Sequence, residues 1–393
     1  MFSYITREKG TKAFLDEAKS KTENVIVIGG SHHNTLGVVR SLGQRGYNVE
    51  LITIGPKREH YVSSSKYVSK HTFVGSVEYL PEYLKKRSPI LRDAKEIIIS
   101  CADAVTEHLN KHRDSLQWQY ILPGNPVQGK MVYLMDKTVM MEMAAKRGLQ
   151  SPKVWRLPEE ADKVTFPLIT KCYVSSHGGK TDVKIFREKA PFRHFIENNT
   201  DQLFAQQFID KKEEVQFIGC SLNGGEKVII PGMSRIFRSQ PNTNTGFLEY
   251  LPIDPFYAET VERSKQYIRD CEYSGLFSIE FMRSQEDKVY FLEINFRNDG
   301  NAYCVTKSGV NLPVIWYKAN KGEEFQNELK EVKSVIVMPE FQDFKLVLQR
   351  KVSFGQWLKD VKRTDVFLDY DKQDMKPFWF FIVNRIPVLR KIV

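Results

Sequence analysis

Two apolar runs in the second half of the chain each carry an acid: Gly275-Leu276-Phe277-Ser278-Ile279-Glu280-Phe281 and Tyr290-Phe291-Leu292-Glu293-Ile294-Asn295-Phe296-Arg297. Their aromatic and β-branched content predicts strands, and the short polar stretch between them predicts one antiparallel hairpin. Side chains alternate along a strand, so such a hairpin aims Glu280, Glu293 and Asn295 at one face. Three oxygen donors together suit one or two magnesium ions, with manganese an acceptable substitute. Magnesium takes hard oxygens in octahedral geometry and keeps open positions for phosphate oxygens and water. The spacing therefore predicts a metal–nucleotide rather than a bare metal. The plainer alternative is that both glutamates are solvated edge residues.

Upstream, Val25-Ile26-Val27-Ile28 reads as a buried strand. Gly29-Gly30, a helix over 35–45 and a second strand over 49–54 follow it. Further strands at 96–100 and 119–122, with helices between, argue an open parallel α/β sheet. Gly29, Gly30 and Gly37 lack the GxGxxG spacing, and Thr53-Ile54 supplies no acid for a ribose, so a dinucleotide site is disfavoured. The crevice beyond these strand ends still suits a small substrate, with Ser31, His32, His33 and Asn34 in its loop; both histidines are read as solvent-facing. A turn cluster, Pro123-Gly124-Asn125-Pro126, then precedes Asp136-Lys137, which opens a helix over 138–147 that stops at Gly148.

Beyond Ser151-Pro152 the chain becomes strand-rich. A strand ending in Lys171 leads into Ser175-Ser176-His177-Gly178-Gly179-Lys180 and then a second strand over 181–186. Backbone amides of a glycine turn can wrap phosphate oxygens, and Lys171 and Lys180 add point charges for the same anion. A Walker A loop is disfavoured, because Val174 stands where glycine is required and a strand, not a helix, follows. A simple hairpin turn is the alternative. Next, Gln206-Gln207-Phe208-Ile209 forms an extended linker whose backbone can hold a purine, and Glu213 or Glu214 can accept both ribose hydroxyls.

A formal charge of +10 over 393 residues favours anionic partners. The chain has no RNP-like aromatics and no basic-helix motif, which argues against nucleic acid. No run reaches the roughly 18 apolar residues of a membrane span. Arg7, Lys9 and Lys12 occupy an N-terminus without the apolar core of a signal peptide, so a cytoplasmic protein is expected. Cys101, Cys172, Cys220, Cys271 and Cys304 have no CxxC spacing and are read as buried free thiols. The tail combines Phe378-Trp379-Phe380-Phe381-Ile382-Val383 with Arg385, Arg390 and Lys391. It either packs on the body or lies weakly on an anionic membrane surface.

In order, the chain offers Lys137, Lys171, the Gly178-Gly179 loop, the linker, Glu213 or Glu214, Glu280, Glu293 and Asn295. That ordered set resembles the ATP-grasp superfamily over residues 25–320. Glu293-Ile294-Asn295-Phe296-Arg297, with Asn301-Ala302-Tyr303 and Ser308-Gly309-Val310-Asn311, resembles its carboxylate-amine ligases, the group that includes D-aspartate ligase. The turn at 123–126 and Met233-Ser234-Arg235 are similar to that group as well. Phe296 replaces the proline of the usual EINPR signature, and Gln206-Gln207 replaces a glutamate often found near the adenine amino group.

The resemblance implies an α/β and α+β multidomain chain of ATP-grasp fold with an N-terminal open parallel α/β domain. The expected divisions are 1–125 for that domain, 126–212 for linker and lid, 213–330 for the metal-bearing part, and 331–393 for a basic, aromatic extension. It further implies that Lys137, Lys171 and the loop 175–180 contact ATP phosphates, that Glu280, Glu293 and Asn295 hold magnesium, and that a carboxylate is activated as an acyl phosphate for attack by an amine. Such chemistry gathers anions, so it calls for cations rather than a covalent nucleophile. Arg297 and Arg235 are the candidates to stabilise the transferring group; a structural pairing with the acids is their alternative role. Small-molecule acid and amine substrates are expected, an amino acid among them. A kinase and a noncatalytic nucleotide-binding protein remain the other readings. The oligomeric state stays open, with a homodimer among the options.

Overall fold

The computed structural model describes residues 6–8, 24–55, 61–87, 94–172, 184–198, 203–239 and 245–385. Asn24–Gly29 is buried at every position, as expected of a strand covered on both faces. It lies at the centre of the first sheet, flanked in parallel by Asn48–Ile54 and Glu96–Ser100; Val68–Val74 and Tyr120–Ile121 lie outside these. Thr6–Glu8 adds an antiparallel edge strand. One face packs Val25 and Val27 against Leu36 and Val39 of helix His33–Gly43 and Val314 and Ile315 of helix Leu312–Asn320. The other packs Ile26, Ile28 and Ile98 against Leu80, Leu84, Val105 and Leu109. The β–α–β alternation read from the sequence is the one observed.

The middle of the chain folds into a small antiparallel sheet in the order Val154–Arg156, Leu203–Gln207, Leu168–Cys172, Lys184–Phe186. Its core is slight: Trp155, Leu168, Phe186, Phe192 and Ala205. Just before it, helix Lys137–Lys146 starts at an N-cap, Asp136, whose carboxylate accepts from the amides of Thr138 (2.8 Å) and Val139 (3.1 Å). Asp136→Ala leaves both donors without that partner. It is expected to cost about 1 kcal/mol, seen as a lower urea midpoint with unchanged slope.

The third sheet is the largest. Its order is Val289–Asn295, Gly275–Ser284, Lys211–Leu222, Met233–Ser239, Gly246–Leu251, Val335–Met338, Val366–Phe367, with Lys227–Ile229 pairing beside Lys211–Leu222. Phe217, Ile279, Phe281 and Phe291 pack from one face onto Tyr257, Val261 and Tyr267. The last two strands fall within the 331–393 extension and tie it into this sheet. Val335–Met338 pairs with Gly246–Leu251, and Val366–Phe367 joins in parallel.

The loop that follows reaches back to the N-terminal domain. Arg40, fully buried, donates from Nε to Asp374 (3.1 Å), from Nη1 to the Leu368 carbonyl (3.1 Å), and from Nη2 to the carbonyls of Asp369 (2.9 Å) and Asp374 (3.0 Å). A buried guanidinium is tolerable only when its donors are met in this way. In the tail, Phe378 and Phe381 stack on Phe341 at 5.2 and 4.1 Å, so those rings pack on the body, whereas Trp379 stays exposed. Cys101, Cys220, Cys271 and Cys304 are buried free thiols, and among the described residues no helix is long and apolar enough to cross a membrane.

Candidate functional site

The hairpin forms as the sequence predicts, and its register places Glu280 opposite Glu293 and Ser278 opposite Asn295. The register shifts between Glu280 and Phe281, leaving Leu292 as an extra residue. This bulge lets Phe291 share the core face with Phe281 and Ile294, while Glu293 and Asn295 share the other face with Glu280. Simple alternation would have put Phe291 beside Glu293.

On that face Asn295 Nδ2 donates to Glu280 Oε1 (3.1 Å) and to Ser278 Oγ (3.3 Å), and Ser278 Oγ donates to Asp299 (2.9 Å). Arg297 ties the group together. Its Nη2 donates to Asn295 Oδ1 (3.0 Å), its Nη1 to Asp299 (3.2 Å) and the Asn298 carbonyl (3.1 Å), and its Nε to Asp103 (3.2 Å). Asp103 opens helix Asp103–Lys111 at the carboxyl end of the first sheet, so the hairpin and the N-terminal domain meet at this arginine. Asn34 and Asn298 exchange further bonds across the seam, Asn34 Nδ2 to the Asn298 carbonyl (2.8 Å) and Asn298 Nδ2 to Asn34 Oδ1 (2.5 Å). Thr106 Oγ1 donates to the Phe296 carbonyl (2.8 Å), and the Phe296 ring lies in the core against Tyr273. Filling that core is why phenylalanine can stand where the signature has proline.

Glu280 is buried, and its carboxyl is held well above the usual range, first by burial and then by the charges of Glu293 and Asp299; Arg297 works against them. Two carboxylates held face to face in this way present what a divalent cation would satisfy, so the donor set fits magnesium. In the present orientation the Asn295 oxygen accepts from Arg297. Serving as third ligand therefore means turning that amide. Among the described residues no group of three His, Cys, Asp or Glu is placed to hold a metal, which leaves the two glutamates with the amide as the candidate set.

Glu280→Gln is expected to raise the melting temperature of the metal-free protein at neutral pH by a few degrees. A carboxyl whose folded pKa is raised gives stability that is full below its ordinary value of 4.5 and is lost as pH rises through the raised one. The gain should therefore vanish in acid, and melting curves against pH check it.

The neighbouring strand separates Glu213 from Glu214 by parity. Gln216 pairs with Glu280 and Glu214 with Met282, so Glu214 and Gln216 share the site face. Gln216 Oε1 accepts from Asn301 (3.1 Å), while its buried Nε2 has no partner among the described residues, a donor free for an anionic ligand. Glu213 faces the other way. It accepts from Tyr257 (2.7 Å), Arg283 (2.9 Å) and Arg235 (2.8 Å). Burial opposes its ionisation, yet these partners hold it below the ordinary range.

Arg235 shares that far face, pairing with Glu213 and Asp254 (3.3 Å), so the structure does not bring it together with Arg297. The contacts it makes are those of a structural pairing. Lys137 is exposed at the start of its helix. Lys171 pairs in register with Phe204. The loop of Ser175, Ser176, His177, Gly178, Gly179 and Lys180 lies outside the described residues.

In the linker, Gln206 is buried, and the amides of Gln207 and Phe208 donate to the carbonyls of Lys153 (2.8 Å) and Pro167 (3.1 Å). Those two amides are thus committed within the protein. In the crevice loop His32 is exposed as expected, but His33 is buried against it and held neutral by burial and then by its neighbour; Gln342 approaches its Nδ1 at 3.4 Å. Sequence reasoning missed Asp299, Asp103 and Gln216. Of these, Gln216 and Asp299 had a local signal, since they lie two residues from Glu214 and from Arg297.

Comparison with known proteins bears on this arrangement. Residues 256–344 match a family model described as ATP-grasp in the biosynthetic pathway with Ter operon. The structure superposes on N5-carboxyaminoimidazole synthetase from Staphylococcus aureus with a TM-score of 0.64 at 15% identity, covering 84% of this chain and 85% of that one. The chain has an ATP-grasp fold. The L-amino acid ligase from Bacillus licheniformis shares this ATP-grasp fold at a TM-score of 0.60 and 15% identity, over 80% of this chain and 79% of that one. A formate-dependent phosphoribosylglycinamide formyltransferase from Bacteroides fragilis is 25% identical over 181 residues, 42% of this chain. The chain spans 45% of the length of that relative.

Proposed function

We propose that this ATP-grasp protein is an ATP-dependent carboxylate–amine ligase with an amino acid as one substrate. The observation that carries the proposal is the facing pair Glu280 and Glu293, with Arg297 beside them bridging Asn295 to Asp103 of the N-terminal domain. Support for nucleotide use comes from the Staphylococcus aureus synthetase, which has also been solved with ADP. Support for an amino acid comes from the name of the Bacillus licheniformis ligase alone.

In this reading Glu280, Glu293 and Asn295 hold magnesium, which when bound neutralises charge on the phosphate oxygens. Glu214 receives the ribose hydroxyls, and Lys137, Lys171 and the loop 175–180 attend the phosphates. A substrate carboxylate oxygen forms a bond to the γ-phosphorus as the bond to the ADP oxygen breaks. The amine nitrogen then attacks the acyl carbon, phosphate departs with the carbon–oxygen bond pair, and the nitrogen gives up a proton. Arg297 offers donors where negative charge gathers in both steps. The loop of Ser31 and His32 beside this seam is the candidate to receive the acceptor, and excluding water there would protect the acyl phosphate from hydrolysis.

The test is a matrix of acids and amines scored for ADP release, with products identified by mass. ADP and phosphate formed only when acid and amine are both present supports the ligase. A stable phosphoester identifies a kinase, and nucleotide binding without turnover identifies a noncatalytic protein.

A further inference from the structure

The C-terminal segment carries a surface that the proposed reaction does not use. Helices Glu340–Leu348 and Phe354–Arg363 pack through Phe344 and Trp357, whose ring centroids are 5.0 Å apart. On the second helix Phe354, Trp357, Leu358 and Val361 recur at three- and four-residue spacing and form one stripe. The inner side is anchored by Asp360, buried and accepting from Arg238 at 2.8 Å. The outer side is open: Phe354 is 56% exposed and Leu358 40%, and Leu348 at the end of the first helix is 70% exposed.

Around these residues Lys345, Arg350, Lys351, Lys359 and Lys362 are all exposed, and no ion pair among the described residues engages them. Between 345 and 363 the sole acid is Asp360, already held by Arg238 and Arg363. An exposed aromatic and aliphatic ridge within an unopposed cationic field is the composition that lodges in a lipid interface, with rings among the acyl chains and cations at the phosphates. Nucleic acid would use the cations and leave the ridge idle. A second copy laid on the same face would set cation against cation.

We propose that this face docks on an anionic phospholipid surface, with Phe354, Leu358 and Leu348 entering the boundary between headgroups and acyl chains. The proposal is independent of the ligase reading.

Flotation of the full chain with phosphatidylcholine vesicles, plain or carrying about a third phosphatidylserine, tests it. Binding is expected to the anionic vesicles alone and to weaken with salt. Phe354→Ser with Leu358→Ser, and separately Lys359→Glu with Lys362→Glu, should each lower partitioning by roughly tenfold or more. The charge pair sits at exposed positions, so it serves as the test should the apolar pair fail to fold; melting curves report which case holds. The proposal is overturned by no binding to anionic vesicles, or by binding that both pairs leave unchanged. It is also overturned by a concentration-dependent dimer that the apolar pair dissolves while vesicles stay unbound, or by duplex DNA binding that only the charge pair abolishes.

Discussion

Glu293→Ala is expected to keep its fold and lose ATP-dependent turnover by on the order of a thousandfold. Glu293 is half-buried on the edge strand of its sheet and faces Glu280. Its own charge helps push the Glu280 carboxyl up, so removing it relieves repulsion in the empty site rather than opening a hole in the core. The melting temperature without metal should therefore hold or rise, while the rise with magnesium expected of the parent should be lost, because a ligand stabilises only the state it binds. Turnover at ordinary magnesium and melting with and without the ion separate the two effects. A fully active variant would refute the metal assignment.

Arg297→Lys is expected to lower turnover by roughly a hundredfold with the chain still folded. The guanidinium spans Asn295, Asp299, the Asn298 carbonyl and Asp103 at once. A lysine keeps the positive charge that these acids need but offers a point donor, not a planar fork, and cannot bridge hairpin and N-terminal helix together. Retained melting with lost turnover places the arginine in the reaction. Retained turnover would reduce it to a structural tie.

The hairpin was legible because apolar runs, one acid in each and a short connection leave few ways to fold. The bulge that keeps Glu293 and Phe291 on opposite faces was not, since it depends on the pairing shift beside Phe281. The same limit explains Arg235. A strand over 233–239 could be read, but which side faced the site depended on Ser234 pairing with Gln216. Asp103 and Arg297 are distant in sequence and meet only because two sheets are apposed. Likewise, nothing local in 335–338 or 366–367 announces that these short strands finish a sheet begun at 211.

The N-terminal sheet carries its own folding problem into synthesis. Arg40 is buried on helix His33–Gly43, and the groups that meet its donors lie between Leu368 and Asp374, 328 to 334 residues further along. Until that segment has been made, the helix must leave Arg40 in water, because a guanidinium sealed without partners is costly. Full burial of this helix is therefore timed by the arrival of residues 368–374, and a chain cut before them should be more readily degraded by proteases.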